Sequence, residues 1–299
     1  MLRELQQLVG KEHVYEQEPM KNHTTFRAGG CARYLVEPQS VEQLKKVMEL
    51  CREEQIPHYI VGNGSNLLVS DTGYDGVIIH LFKNMDQVRV EDTRMYLQAG
   101  VLLVRAANAA RRAGLTGLEF ASGIPGTIGG AMVMNAGAYG GEMKDVVREV
   151  TVLTEDGEIV RYTGAEMEFG YRRSRITGDE SIVLEAVLEL EKGDPEQIAA
   201  RMEELKEQRL LKQPLEYASA GSTFKRPQGY FAGKLIQDAG LRGFRIGDAQ
   251  VSEKHCGFVI NRGNATASQI AELIREVQKR VLENSGVVLE TEVKFLGDF

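Results

Sequence analysis

The chain of 299 residues has no tryptophan, seven prolines and three cysteines. Cys31, Cys51 and Cys256 are odd in number, far apart, and form no CxxC pair. That favours a reducing cytoplasm over a disulfide framework. No HxH or HExxH spacing occurs, so His23 and His255 read as ordinary histidines and no metal site is expected. No stretch approaches 18 continuous apolar residues, and no membrane span is expected. The opening MLRELQQLVGKEH lacks the apolar core of a secretion signal. Basic charge is also short: 36 Lys and Arg against 43 Asp and Glu give a net charge of −7. This argues against a nucleic-acid footprint but leaves room for a local basic pocket. No fixed-period repeat or low-complexity tail is present. What remains is an ordinary globular composition, 42% hydrophobic and 26% charged. The length suits two domains or one large one, with ample core without disulfides.

Glycine, by contrast, is concentrated. Residues 123–142, GIPGTIGGAMVMNAGAYGGE, hold seven glycines and one charge, Glu142. Glycine permits positive φ and close backbone approach, and each costs roughly 0.5–1 kcal/mol in a helix interior relative to alanine. The run is therefore expected to be neither an ordinary helix nor a central strand. Its free N–H groups suit a phosphate or pyrophosphate. Ile124, Ile128, Met132, Val133 and Met134 are too apolar for a solvated linker.

A second loop, Gly62-Asn63-Gly64-Ser65-Asn66, follows the apolar run Tyr59-Ile60-Val61. Leu67 stands where a Rossmann fingerprint needs its third glycine, and no Walker Gly-Lys-Ser/Thr is present. The loop reads equally as a small polar cradle or a plain turn. Around these loops, the patterns predict a helix over 2–9 and one opened by a Ser40/Gln43 capping box, with Leu44, Val47, Met48 and Cys51 on one face. Strands are expected at 34–36, 76–81 and 181–190, with hairpins over 87–99 and around Asp156-Gly157. A helix at 102–113 ends at Gly114. Another, capped by Asp194, runs to about 211. A domain boundary is expected at Gln213-Pro214. Beyond it come a helix near 231–239, a turn-rich link at 240–247 and a strand at 257–260. A Thr266/Gln269-boxed helix then ends at Gly286, before a last strand at 287–296.

Taken together, VGNGSNLL at 61–68, GIPGTIGG at 123–130, NAGAYG at 135–140, GYR at 170–172 and AGSTFK at 220–225 resemble the UDP-N-acetylenolpyruvoylglucosamine reductase family. Residues 248–261 and the closing Glu290-Thr291-Glu292-Val293 belong to the same resemblance, which spans residues 22–296 in order. It implies an α+β chain with the FAD-binding fold of the vanillyl-alcohol oxidase type. Residues 1–213 would bind FAD through two α+β subdomains, about 1–82 and 83–213. Residues 214–299 would form an α+β substrate-binding domain. It implies non-covalent FAD, NADPH as co-substrate, and reduction of an enolpyruvyl ether on UDP-N-acetylglucosamine to UDP-N-acetylmuramate. This is a cytoplasmic step of peptidoglycan precursor synthesis, with no nucleic-acid or membrane partner, and a monomer is favoured. Some members carry an extra tyrosine loop over the substrate; the short passage from Arg175 to Ser181 leaves no room for one, so the chain looks like the shorter class.

The resemblance also implies roles for single residues. Arg172 would grip the substrate carboxylate and stabilise the enolate-like charge left by hydride delivery. Ser222 would supply the proton, and Glu292 would assist from the other side. Gly62, Asn63, Gly64, Ser65 and Asn66 would hold the FAD pyrophosphate. Gly123, Ile124, Pro125, Gly126, Thr127, Gly129, Gly130 and Gly137 would form the other wall. Lys212 and Lys225 either neutralise the substrate's diphosphate or carboxylate, or are plain surface lysines. Two competing readings stand beside this one. One is another FAD-dependent alcohol or sugar oxidoreductase of the same fold; the other is a nucleotide-sugar sensor without chemistry.

Overall fold

The computed structural model describes residues 1–179 and 181–299. Two compact units emerge. The first comprises residues 1–16, 34–63 and 76–209; the second comprises 17–33, 64–75 and 210–299. The division after Arg209 lies close to Gln213-Pro214, but the second unit also takes in two early segments.

A four-stranded sheet runs in the order Val14–Pro19, Cys31–Val36, Tyr74–His80, His58–Val61. The last pair is parallel, with Val61 opposite His80. Helices Leu2–Val9 and Val41–Glu53 cover it, burying Leu5, Val9, Leu44, Val47 and Cys51 against Val36, Val77 and Ile79. The Ser40 cap forms as the spacing predicts, with Ser40 Oγ accepting from Gln43 N at 3.2 Å. The Gln43 side chain, however, reaches back to the amide of Gln39.

A five-stranded antiparallel sheet follows, in the order Ile159–Thr163, Val147–Leu153, Ile182–Glu189, Arg94–Gln98, Val88–Glu91. Its apolar face packs on helices Leu103–Arg112 and Ile128–Met134. The second of these helices corrects the reading of the glycine run: Gly129 and Gly130 lie inside it. Ile128 and Met132 are fully buried, each contributing about 1.5–3 kcal/mol, which outweighs the roughly 1 kcal/mol that a glycine costs. Gly129 is there for close approach. Its N–H donates to Ala99 O at 2.8 Å, and a Cβ would sit 3.2 Å from that of Ala99.

In the second unit, Ala218–Ser219, Val259–Asn261, Ala249–Val251 and Arg245–Ile246 form an antiparallel sheet in that order. Helix Ala267–Ser285 lies on it, with the Thr266/Gln269 capping box formed and Gly286 in the left-handed region at φ 72°. The turn-rich link at 240–247 also contributes the two-residue edge strand Arg245–Ile246. The last strand is shorter than its pattern predicts: only Lys294–Leu296 pairs, in parallel with Leu67–Val69. Val288 is exposed while Leu289 is buried, and before Lys294 the run pairs as strand only at an isolated bridge, Thr291 to Phe224, its other bonds, such as Lys225 N to Glu290 O and Glu292 N to Thr223 O, being single contacts. Phe26, Ala28 and Leu68, from the early segments, are buried in this unit's core.

Candidate functional site

Within the first unit, the two glycine loops meet. Asn63 Nδ2 donates to Pro125 O at 2.6 Å. A Cβ on Gly62 would lie 2.2 Å from Thr127 Oγ1. Gly62 is therefore required by close approach. Thr127 is buried and caps helix Ile128–Met134. Gly137 opens a two-residue hairpin in which Tyr139 and Gly140 both have positive φ, the pattern of a type I′ turn.

Arg172 is set against this same region. Gly170 and Arg173 exchange backbone hydrogen bonds at 3.0 and 3.3 Å, leaving Tyr171 and Arg172 at the tip of a tight turn. Arg172 has φ 54°, a conformation that costs a non-glycine residue about 1–2 kcal/mol. The surroundings hold it there. Asn135, fully buried and itself left-handed at the helix end, donates to Gly170 O at 3.0 Å and to Glu142 Oε2 at 2.7 Å. Ser174 Oγ and Thr177 Oγ1 both donate to Val133 O, at 3.0 and 2.8 Å. The half-buried guanidinium of Arg172 donates to Gly137 O at 3.2 Å and lies 5.1 Å from the Tyr171 ring. A strained backbone held by several independent bonds is the form in which a side chain is aimed.

Two residues of this unit were not singled out from the sequence as site residues. Asn135 is one, and its signal was an Asn directly after a helical run. Arg209 is the other. It lies on helix Pro195–Lys212 and is only 9% exposed. It donates to Gly123 O, and its guanidinium sits 5.7 Å from the Tyr139 ring. Burial lowers its pKa, with the neighbouring Tyr139 opposing. Its signal was a cation in apolar register, at 198, 202, 205 and 209, with Ile198 and Leu205 buried on the same face.

The second unit gathers another set. Ser222 is exposed, between left-handed Gly221 (φ 72°) and fully buried Thr223. Thr223 is pinned on two sides: its N–H donates to Gly257 O at 2.9 Å, and its Oγ1 accepts from Val259 N at 2.9 Å. Glu292, half-buried, donates its N–H to Thr223 O at 2.8 Å. Its own carbonyl accepts from Asn66 Nδ2 at 3.0 Å, and Asn66 O accepts from Lys294 N. So Asn66, Glu292 and the Ser222 segment are joined through main-chain bonds. Gly64 is left-handed at φ 57° and packs so tightly that a Cβ would lie 1.9 Å from His23 O. The N–H groups of Gly64 and Ser65 donate to no group among the described residues. Amides presented from a left-handed turn make an anion-binding nest. In the first unit the amides of Ile128, Gly129 and Gly130 are already taken, by Val101 O, Ala99 O and Thr127 Oγ1, so of these glycine turns it is Gly64–Ser65 that presents amides to a phosphate.

The lysines behave differently. Lys225 pairs with Glu290 at 3.0 Å, so its charge is already partly matched. Lys212 is exposed at the end of its helix. His255 is half-buried, and burial lowers its pKa. No helix among the described residues is long and apolar enough to cross a membrane. Residues 173–181 are all that separate Arg172 from strand Ile182–Glu189.

Known proteins resemble this chain in both sequence and fold. A profile described as an FAD binding domain matches residues 32–163. Another, described as the C-terminal domain of UDP-N-acetylenolpyruvoylglucosamine reductase, matches residues 213–296. The chain is 52% identical to the UDP-N-acetylenolpyruvoylglucosamine reductase of Clostridioides difficile, over 97% of this chain and 96% of that one. It is 51% identical to the enzyme of that name from Caldanaerobacter subterraneus subsp. tengcongensis, over 100% and 98%. Among solved structures, the reductase from Thermus caldophilus superposes with a TM-score of 0.81 at 38% identity, covering 95% of this chain and 98% of that one. p-Cresol methylhydroxylase matches with a TM-score of 0.50 at 15% identity over 97% of this chain and 65% of its own, a likeness of fold alone.

Proposed function

The chain belongs to the UDP-N-acetylenolpyruvoylglucosamine reductase family, and from that premise we propose which of its residues carry each part of the reaction. It is an FAD-dependent oxidoreductase of the vanillyl-alcohol oxidase fold. It uses NADPH to reduce the enolpyruvyl ether of UDP-N-acetylglucosamine enolpyruvate to UDP-N-acetylmuramate, in peptidoglycan synthesis. When bound, FAD would supply the hydride chemistry that couples NADPH oxidation to reduction of the enolpyruvyl group.

The protein supplies charge, a proton and position. Arg172 takes the substrate carboxylate with its planar fork and opposes the negative charge that develops beside it. Its turn is already held by Asn135, Ser174 and Thr177, so little reorganisation accompanies the reaction. Ser222 hands its hydroxyl proton to the adjacent carbon. A serine does this only for a strongly basic partner and from a held position. Thr223, bonded on both its main chain and side chain, provides that hold. Glu292 holds or protonates the intermediate from the other side. The observation that carries this assignment is the bond from Glu292 N to Thr223 O, which makes the carboxyl-bearing and hydroxyl-bearing segments one piece.

For FAD, Gly62, Asn63, Ile124, Gly126, Thr127, Gly129, Gly130 and Gly137, with Gly123 and Pro125, offer backbone surface in the first unit. Gly64, Ser65 and Asn66 do so in the second. Arg209 joins the first set through Gly123. Lys212 and Lys225 serve the substrate's anionic groups, Lys225 by exchanging Glu290 for them. Functionally, residues 1–213 form the FAD-binding part and 214–299 the substrate part. The chain works as a cytoplasmic monomer, and of the shorter class, because residues 173–181 alone separate Arg172 from strand Ile182–Glu189 and leave no room for a tyrosine loop.

The test is a flavin spectrum of the purified protein and an NADPH oxidation assay with and without the enolpyruvyl sugar. Yellow protein with sugar-dependent NADPH consumption is expected. Equal consumption without the sugar would point instead to another oxidoreductase of this fold, and colourless protein to a sensor.

A further inference from the structure

We propose that Thr25 is a cofactor-binding residue, its hydroxyl donating to the FAD pyrophosphate beside Gly64 and Ser65. Among the described residues, Thr25 Oγ1 is the one buried side-chain polar atom with no hydrogen-bond partner. Buried hydroxyls are nearly always bonded, so a single exception calls for an acceptor from elsewhere.

The neighbours of Thr25 are all engaged, which removes loose packing as the reason. Thr24 Oγ1 donates to Ala28 O at 3.3 Å, and Thr24 O accepts from Arg27 N at 3.2 Å. Phe26 is fully buried in the core, and its carbonyl accepts from Asn261 Nδ2 at 2.9 Å. Thr25 itself donates its N–H to Gly64 O at 3.2 Å. Gly64 lies flush on this segment, since an added Cβ would meet His23 O and come within 3.0 Å of Thr24 Cα. The side chain is thus held beside the loop whose Gly64 and Ser65 amides donate to nothing among the described residues. Two amides and a hydroxyl, all donors in need of an acceptor, gathered at a left-handed glycine, fit one kind of ligand atom: an anionic oxygen of a phosphate group. No basic side chain is required, because the donors are neutral and preorganised.

The inference rests on the reading of residues 64–66 as part of the FAD site, and the experiment separates the two. The full-length chain is stripped of flavin, and FAD is returned by titration while flavin fluorescence is followed. Thr25→Val removes the hydroxyl and keeps the shape; Thr25→Ser keeps the hydroxyl. The Thr25→Val Kd for FAD should rise tenfold or more, and Thr25→Ser should stay within about threefold of the parent. The loss should be the same for FAD and ADP-ribose-type pyrophosphates, but absent for riboflavin. An unchanged Kd in Thr25→Val, or equal losses in Val and Ser variants, would overturn the proposal. Gly64→Ala serves as the companion. If it weakens FAD while Thr25→Val does not, only the role of Thr25 falls. If neither does, the loop assignment falls with it. Thermal unfolding without flavin checks folding: a drop in Thr25→Val of several degrees before any FAD is added would also count against it.

Discussion

The backbone N–H of Glu292 donates to the carbonyl of Thr223 at 2.8 Å, next to Ser222 in sequence. Replacing Ser222 by Ala removes one hydroxyl from an exposed position without touching the bonds that hold Thr223. Flavin reduction by NADPH should stay near the parent rate. Reoxidation by the enolpyruvyl sugar should slow by roughly 10²–10⁴-fold, the usual contribution of a positioned acid. Stopped-flow measurement of the two half-reactions decides this; a normal reoxidation rate removes Ser222 from the chemistry.

Arg172→Lys keeps a positive charge but loses the planar fork. Because the charge it opposes grows in the transition state, kcat and kcat/KM should fall together, by about 10²–10³-fold. A rise in KM alone would mean that Arg172 only binds substrate. Arg172→Gly is the informative companion. It relieves the strained φ of 54° and should not lower thermal stability, yet should be at least as inactive.

Gly62→Ala places a Cβ 2.2 Å from Thr127 Oγ1. Overpacking of this kind costs about 1–3 kcal/mol. It would be felt at the cap of helix Ile128–Met134. The purified variant should retain less flavin per chain, read from the ratio of flavin to protein absorbance. Full retention would show that this loop does not bear on the cofactor.

Asp71 accepts from the N–H groups of Ala267 and Ser268, each at 2.8 Å, and from Ser268 Oγ at 2.6 Å. Burial alone would raise its pKa; the bonds from Ser268 and Ala267 outweigh that and hold it below the ordinary value. A lowered folded pKa means that the stabilisation is full above the unfolded value of about 3.9, and is lost as pH falls through the folded one. Asp71→Asn should therefore destabilise by about 1 kcal/mol at neutral pH, as loss of a helix-terminus acceptor does. The difference between variant and parent should shrink below pH 4. Chemical denaturation at pH 7 and pH 3 measures both; a difference that is constant with pH would contradict the assignment.

Elements whose evidence is local were readable before any coordinates. Helix Ala267–Ser285 carries its box, apolar stripe and terminal glycine in the sequence, and all three form. The glycine run was misjudged because a propensity argument sees what each glycine costs and not what Ile128 and Met132 gain by burial. The strand Ala249–Val251 is three residues long and buried, too short for any period to show. Arg172 and Ser222 could be located by motif, but not the reason they are held: Asn135, Thr223 and Asn66 act through contacts with residues 35 to 226 positions away. Arg209 broke the apolar stripe of its own helix, and reading that break would have found it.

The second unit's core closes over Phe26, Ala28 and Leu68 with side chains that begin at Ala220. On the ribosome these partners emerge in the wrong order for immediate packing. Residues 27–219 must be made between Phe26 and Ala220, roughly 10–40 s at ordinary elongation speeds. For that interval Phe26 has an apolar side chain and none of the core residues from Ala220 onward to pack against. It also means that residues 214–299, expressed alone, should fail to fold: the piece lacks part of its own interior.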